Sequence, residues 1–111
     1  MAKNHDVKYL GDIVDFGREA RTMVEGVSLD EFLGNRQMQL ALAHLILIIG
    51  EAAYKLPVDS REQMPDVPWA DIIGMRHRLV HDYGMVSYRF LWETAMDDLE
   101  PLIEAVERLL P

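Results

Sequence analysis

Cysteine is absent from the 111 residues of this chain. Neither a disulfide framework nor a zinc site built on thiolates is therefore available, which agrees with a reducing cytosol. A long apolar run is also missing, since the run from Leu40 to Ile49 contains His44 and falls far short of the roughly 20 residues that span a bilayer. The first residues, MAKNHDVKYLGD, lack the basic segment and apolar core of a secretory signal. These absences predict a soluble, cytoplasmic protein that has no membrane partner.

Basic charge is scarce as well. The chain has 11 Lys and Arg residues against 19 Asp and Glu residues, a formal net charge of -8. A protein that binds nucleic acid non-specifically along its length needs a basic surface that displaces counterions from the phosphates. The negative charge disfavours this class of protein, while a local basic site remains available. The length, with half of the residues apolar, predicts a single domain over residues 1–111.

No alternating strand pattern occurs, and the apolar spacing instead predicts four main helices. They run from about Asp6 to Val27, from about Asn35 to Leu56, from Pro68 to His81 or Asp82, and from the cap residue Ser87 onward with a kink at Pro101. The fold class is therefore predicted to be all-α, an up-and-down four-helix bundle.

Two shorter features complete this fold. Ser28 and Glu31 have the spacing of a capping box, which predicts one extra helical turn from Ser28 to Phe32. Between Pro57 and Pro68 the prolines predict a segment of turns, because proline lacks the amide that a helix interior requires.

The second main helix is apolar over most of its circumference, which predicts a central position. A second face of this helix carries Leu40, His44, Leu47 and Glu51. This face is suited to meet a partner subunit. Alternatively, His44 and Glu51 lie at the edge of the fold, hydrogen-bonded or in water.

An arginine stands in the middle of an apolar stripe on the third main helix. The three-and-four spacing places Trp69, Ile72, Arg76, Leu79 and Tyr83 on one face. Because a guanidinium stays charged, an arginine withdrawn from water needs carboxylate, carbonyl or phosphate acceptors. Arg76 is therefore either a functional residue or one half of a structural pair with an acidic residue such as Glu51.

His81 follows Arg76 by five residues, so on a regular helix the two side chains project about 140 degrees apart. They can meet if the helix unwinds near Gly84, or if the site forms between two copies of the chain related by a two-fold axis. An arginine, a histidine and the hydroxyl of Tyr83 at such a seam would suit phosphodiester chemistry. Arginine can stabilise the charged transition state and histidine can move protons.

Several short motifs occur together in this chain. Arg76 and His81 are followed directly by Asp82 and Tyr83, and are preceded by Gly50-Glu51-Ala52 and by Pro68-Trp69. With Trp92-Glu93 downstream, this order resembles the HepT family of HEPN-domain proteins over nearly the whole chain.

The resemblance implies a homodimeric, HEPN-like four-helix bundle in which Arg76 and His81 meet at the dimer cleft. It implies a toxin that cleaves RNA there without a metal or other cofactor. It further implies a minimal nucleotidyltransferase partner that acts as antitoxin and transfers AMP to Tyr83. Glu51 and Arg78 are then supporting or RNA-contacting residues.

His77 departs from the family pattern, which most often has asparagine after the motif arginine. His77 can replace that asparagine as a hydrogen-bonding group, compete with His81 as proton carrier, or indicate weakened activity. It also has the spacing from His81 that allows a shared metal, but no zincin pattern accompanies the two residues. Two further readings remain, a non-catalytic substrate-binding or regulatory subunit of a nucleotidyltransferase, and a helical dimer with a structural arginine network.

Overall fold

The computed structural model describes residues 4–111, with the exception of the side chains of Asn4, His5 and Tyr83. Residues 4–111 are largely helical and contain no strand, which confirms the all-α fold class. The α-helices in chain order are α1 (Asn4–Val24), α2 (Leu29–Leu33), α3 (Arg36–Lys55), α4 (Val58–Glu62), α5 (Trp69–His81), α6 (Tyr88–Glu93) and α7 (Leu99–Glu107). A 3-10 turn (Tyr83–Met85) follows α5, and a π-helical turn (Thr94–Asp98) joins α6 to α7.

Helix caps set most of these boundaries. Helix α2 begins with the predicted capping box, in which the Glu31 amide donates to Ser28 Oγ over 3.1 Å and the Ser28 amide donates to Glu31 Oε1 over 3.3 Å. Asn35 and Ser87 cap α3 and α6 by accepting from the amides of the third residue along. Helix α1 ends earlier than predicted because the chain turns at Gly26, whose φ of 74° favours glycine.

Helix α4 lies inside the segment that was predicted to contain only turns. Pro57 directly precedes it, a position where the missing amide of proline costs nothing. Leu56 and Ser60 are buried, and Arg61 Nε donates to the Leu56 carbonyl over 3.3 Å. Packing and this bond hold a short helix that the sequence pattern does not reveal.

The irregularity predicted at Pro101 takes the form of the π-helical turn just before it. Proline lacks an amide, and its ring crowds the carbonyl four residues earlier, which here belongs to Asp97. In the wider turn the Leu99 amide donates to the Thr94 carbonyl. The last predicted helix is therefore α6, the π turn and α7 in succession.

Helix α3 is the central element. It packs on α1 and on α5, while α7 packs on α1. The predicted core face of α3 is confirmed, since its members are buried apart from the partly buried Met38; they are Leu42, Leu45, Ile49, Ala52 and Leu56. Helix α5 packs mainly on α3, and Trp69 is its one buried residue. Both flanks of α5 are therefore accessible.

By length and composition, α3 could cross a membrane, although 44% of its apolar window is buried within the domain. Core helices of soluble proteins meet the same criteria, so the apolar character of α3 agrees with its central packing.

Candidate active site

Gly50 of α3 sets the distance between α3 and α5. A Cβ atom at position 50 would lie 2.4 Å from Arg76 Cβ and 3.1 Å from the Ile72 carbonyl oxygen. Neither neighbour can move aside cheaply, because one is close to the backbone and the other belongs to it. A glycine inside an apolar helix often indicates that another backbone packs closely against it. The close contact of α5 with α3 could therefore have been predicted from the sequence, where Gly50 was treated only as a motif residue.

Arg76 lies at this contact and is held by two side chains of α3. Its Nε donates to Glu51 Oε1 over 2.6 Å, and its Cζ lies 4.4 Å from the ring centroid of Tyr54. The side chain of Arg76 is 21% exposed and that of Glu51 is 35% exposed. The pair predicted as the structural alternative therefore exists, but it is half-buried and borders solvent.

Tyr54 was missed by the sequence analysis. It follows Glu51 by three residues and therefore extends the second face of α3, where Tyr54 is 54% exposed. An arginine over an aromatic ring gains a cation–π interaction that fixes its plane. Together, Glu51 and Tyr54 orient the guanidinium of Arg76.

The Arg76–Glu51 bond uses only Nε. Within the part of the chain whose side chains are described, the two terminal nitrogens of Arg76 form no hydrogen bond. These nitrogens provide the paired donors that bind a phosphate or carboxylate in a bidentate way. Arg76 is thus oriented through its Nε, and its two terminal nitrogens are available to donate hydrogen bonds to a ligand.

His77 and His81 lie on another face of α5. Their ring centroids are 4.4 Å apart and tilted by 48°, and both residues are exposed. Helix α5 is regular to His81, and the Asp82 amide donates to the Arg78 carbonyl over 2.7 Å. The suggestion that the helix unwinds to bring His81 to Arg76 is therefore wrong for this chain, and the two-copy arrangement remains a prediction.

Tyr83 opens the 3-10 turn, and its side chain lies outside the described residues. The prediction that Tyr83 shares a face with Arg76 assumed a helix that continues through position 83. Because α5 ends at His81, helical spacing no longer supports that prediction, and the position of the Tyr83 side chain lies outside the described residues.

The other predicted residues lie at different places. Glu51 is at the site, as described above, while Arg78 is exposed on a different face of α5 and lines a cleft considered below. His44 is exposed on α3. Among the described side chains no group of three or more potential ligands could hold a metal ion, so His77 and His81 lack a third ligand there.

Replacing Gly50 with alanine is expected to separate α3 from α5. The new methyl group would overlap Arg76, and overpacking of this kind typically costs about 1–3 kcal/mol of unfolding free energy. Urea unfolding measures this loss. Gly11→Ala in α1 is the matched control, because nothing lies within 4 Å of its Cβ position and alanine there should stabilise the helix by up to about 1 kcal/mol. Equal stability of the two variants would refute the close contact.

A family model described as Ribonuclease HepT-like matches residues 13–109. A protein of Thermococcus cleftensis named "Probable ribonuclease HepT" is 31% identical over 98% of both chains. Two proteins named "Putative RNase" are also similar. One, from Methanocaldococcus jannaschii, is 31% identical over 99% of this chain and 91% of its own. The other, from Caldanaerobacter subterraneus subsp. tengcongensis, is 38% identical over 78% of each. No solved structure gives a significant match.

This all-α HEPN-like domain, which carries the half-buried Arg76 and the exposed pair His77 and His81 on one helix, belongs to the ribonuclease class of enzymes. More specifically, the chain belongs to the HepT-like ribonuclease family.

Proposed function

We propose that this chain is the ribonuclease toxin of a toxin–antitoxin pair, and that its active site forms between two copies in the cytoplasm. One observation carries the two-copy site: Arg76 and His81 lie on diverging faces of one regular helix. One chain therefore does not direct both groups to the same phosphate, whereas a two-fold axis beside α5 can bring Arg76 of one copy near His81 of the other.

Exposed apolar side chains on α3 and α5 support such a dimer. Leu40 and Tyr54 of α3 are 51% and 54% exposed, and Val80 of α5 is 41% exposed. These large apolar groups lie on the helices that carry the site and are suited to be covered by a second copy. Formation of the dimer would also withdraw the Arg76–Glu51 pair from water and thereby strengthen the attraction between the two side chains.

The proposed reaction is an internal transesterification of RNA. His81 accepts the proton of a ribose 2′-hydroxyl, and the 2′-oxygen attacks the adjacent phosphorus. The bond to the 5′-oxygen breaks, that oxygen takes a proton from water, and His81 returns the proton that it accepted to the solvent. The products are a 2′,3′-cyclic phosphate and a 5′-hydroxyl end. The free terminal nitrogens of Arg76 stabilise the charge that builds on the phosphate oxygens.

His77 has a defined place in this scheme. The centroid of its ring lies 4.4 Å from that of the His81 ring. His77 can supply the hydrogen bond for which related proteins more often use asparagine. Arg78 contacts a phosphate of the RNA, and Glu51 orients Arg76.

Control of the toxin is assigned to a nucleotidyltransferase antitoxin that transfers AMP from ATP to the Tyr83 hydroxyl and releases pyrophosphate. Tyr83 follows His81 by two residues, so an adenylate there adds bulk and negative charge close to the site. Both effects oppose RNA binding. Intact mass after co-expression with such a partner tests this step; without an adduct on Tyr83, masking by binding would replace it.

Cleavage of RNA in the presence of a chelator is the direct test of the reaction. Because the chemistry uses only side chains, activity in EDTA is expected to stay within about twofold of that in magnesium, with cyclic phosphate ends on the products. A tenfold loss that a divalent ion restores would contradict the mechanism. No cleavage at any pH, with tight binding of a nucleotidyltransferase, would favour the non-catalytic regulatory subunit instead.

A further inference from the structure

A second concave surface lies along another flank of α5. A cleft of about 570 Å³ separates α5 from the stretch that contains the π turn and the start of α7. A neighbouring cleft of about 470 Å³ continues toward the 3-10 turn and shares Met75, Arg78 and Phe90 with the first. We call the two clefts together the α5–α7 groove. Neither is lined by Arg76, His77 or His81, so the groove lies on a different flank of α5, and Arg78, the proposed phosphate contact, is the residue that it shares with the nuclease site.

The floor of the groove is apolar. Its lining includes buried and partly buried side chains of α3, α5 and α7, namely Ile46, Ile49, Ile72, Met75, Leu99 and Leu102. Phe90 lies between the two clefts with 45% of its surface exposed, and Met85 lines the far end with 87% exposed. Large apolar side chains in water along a groove indicate a surface that binds an apolar partner.

The rim of the groove is acidic. Asp66, Asp71 and Asp98 line the larger cleft, where Arg78 is the opposing charge. Burial raises the pKa of the Asp98 carboxyl, and repulsion from Asp97 and Asp71 raises it further. Asp71 is on α5 and Asp98 ends the π turn, so like charges face each other from two elements. A cation placed between them would relieve this repulsion.

We propose that the α5–α7 groove binds a basic amphipathic helix of a partner protein. An apolar stripe would cover the floor, and lysine or arginine residues along its edges would pair with the acidic rim. Helix α5 has 13 residues and is about 20 Å long, which matches a docked helix of three to four turns.

Charge distinguishes this occupant from others. A second copy of the chain carries a net charge of -8 and RNA carries phosphates, so the acidic rim repels both. A partner helix with apolar and basic faces is attracted by floor and rim together. The inference does not depend on the proposed nuclease mechanism, because it rests on the apolar floor and the three aspartates. Arg78 is the one residue of that mechanism that also lines the groove.

A synthetic amphipathic peptide tests the proposal with the intact protein. The probe is a peptide of about 14 residues with leucine at helical three-and-four spacing and lysine elsewhere, and the reference is a scrambled peptide of identical composition. Binding is followed by fluorescence anisotropy, and the bound surface is mapped by NMR. We expect the scrambled peptide to bind at least about tenfold more weakly, and shift changes to centre on Met75, Phe90 and Leu99.

Two double variants distinguish attraction by the acidic rim from attraction by the net negative charge of the protein. Asp71→Asn with Asp98→Asn should weaken binding about threefold to tenfold, as expected for two exposed ion pairs. Glu19→Gln with Glu25→Gln removes the same charge from exposed positions outside the groove and should change binding less than twofold. Circular dichroism verifies that both double variants fold. If the Asp71→Asn and Asp98→Asn double variant does not fold, the single variant Asp71→Asn replaces it.

Three results would overturn the proposal. Equal weakening by the two double variants, or equal binding of the scrambled peptide, would show attraction by net charge alone. Shift changes centred on Leu40 and Tyr54 would place the peptide on α3. Shifts of groove residues that depend on protein concentration without peptide would assign the groove to a second copy of the chain.

Discussion

Alanine in place of Arg76 is expected to lower RNA cleavage by at least about 100-fold. The free terminal nitrogens of Arg76 would no longer stabilise the charge on the phosphate, and loss of one such donor typically costs 10²–10³ in rate. The folded chain is expected to lose about 1–3 kcal/mol of stability, because Glu51 loses its partner in a half-buried setting. Single-turnover cleavage and urea unfolding measure the two effects separately.

Arg36 offers a matched control for this change. Its Cζ lies 5.4 Å from the Tyr88 ring centroid and its Nη1 donates to the Tyr88 hydroxyl over 3.0 Å, so it is also an arginine held by a tyrosine. Arg36→Ala should leave cleavage within about twofold, since Arg36 lies at the start of α3, away from Gly50 and Glu51. If Arg76→Ala retained full activity while losing stability, Arg76 would be only a structural residue.

Alanine in place of His81 is expected to lower cleavage by about 10²–10⁴-fold, the contribution typical of a positioned general acid or base. His77→Asn should keep activity within about tenfold of the unmodified chain, because asparagine can still form a hydrogen bond but cannot carry a proton. Both side chains are exposed, so neither change should alter stability by more than about 0.5 kcal/mol.

The pH profiles of these variants identify the proton carrier. Cleavage by His77→Asn should keep the pH profile of the unmodified chain, whereas the residual cleavage by His81→Ala should not. The reverse result, with activity lost in His77→Asn and kept in His81→Ala, would assign proton transfer to His77. The two rings lie 4.4 Å apart between centroids, so either histidine could serve as the proton carrier and the comparison is necessary.

Much of the fold followed from periodicity and caps. The buried face of α3 and the start of α5 after Pro68 are set by local spacing and by the missing amide of proline, so the sequence revealed them. Helix α4 could not be predicted, since it depends on the burial of Leu56 and Ser60 against the rest of the domain.

The site was predicted in part. The divergence of His81 from Arg76 follows from the 100 degrees per residue of a regular helix, and α5 has that regularity. Pairing of Arg76 with Glu51 was expected as one alternative, whereas the Tyr54 contact depends on how α3 and α5 cross at Gly50. The α5–α7 groove likewise depends on packing between distant segments, and no local pattern encodes it.

Mixing two inactive variants tests the two-copy site most directly. Arg76→Ala and His81→Ala chains are unfolded together, refolded and assayed for RNA cleavage, beside each variant alone. If the site joins Arg76 of one copy to His81 of the other, random pairing makes about half of the dimers hybrids, each with one intact site. The mixture should then recover roughly a quarter of the unmodified activity. If the mixture, shown by mass spectrometry to contain hybrid dimers, stays as inactive as the separate variants, the site does not form between two copies.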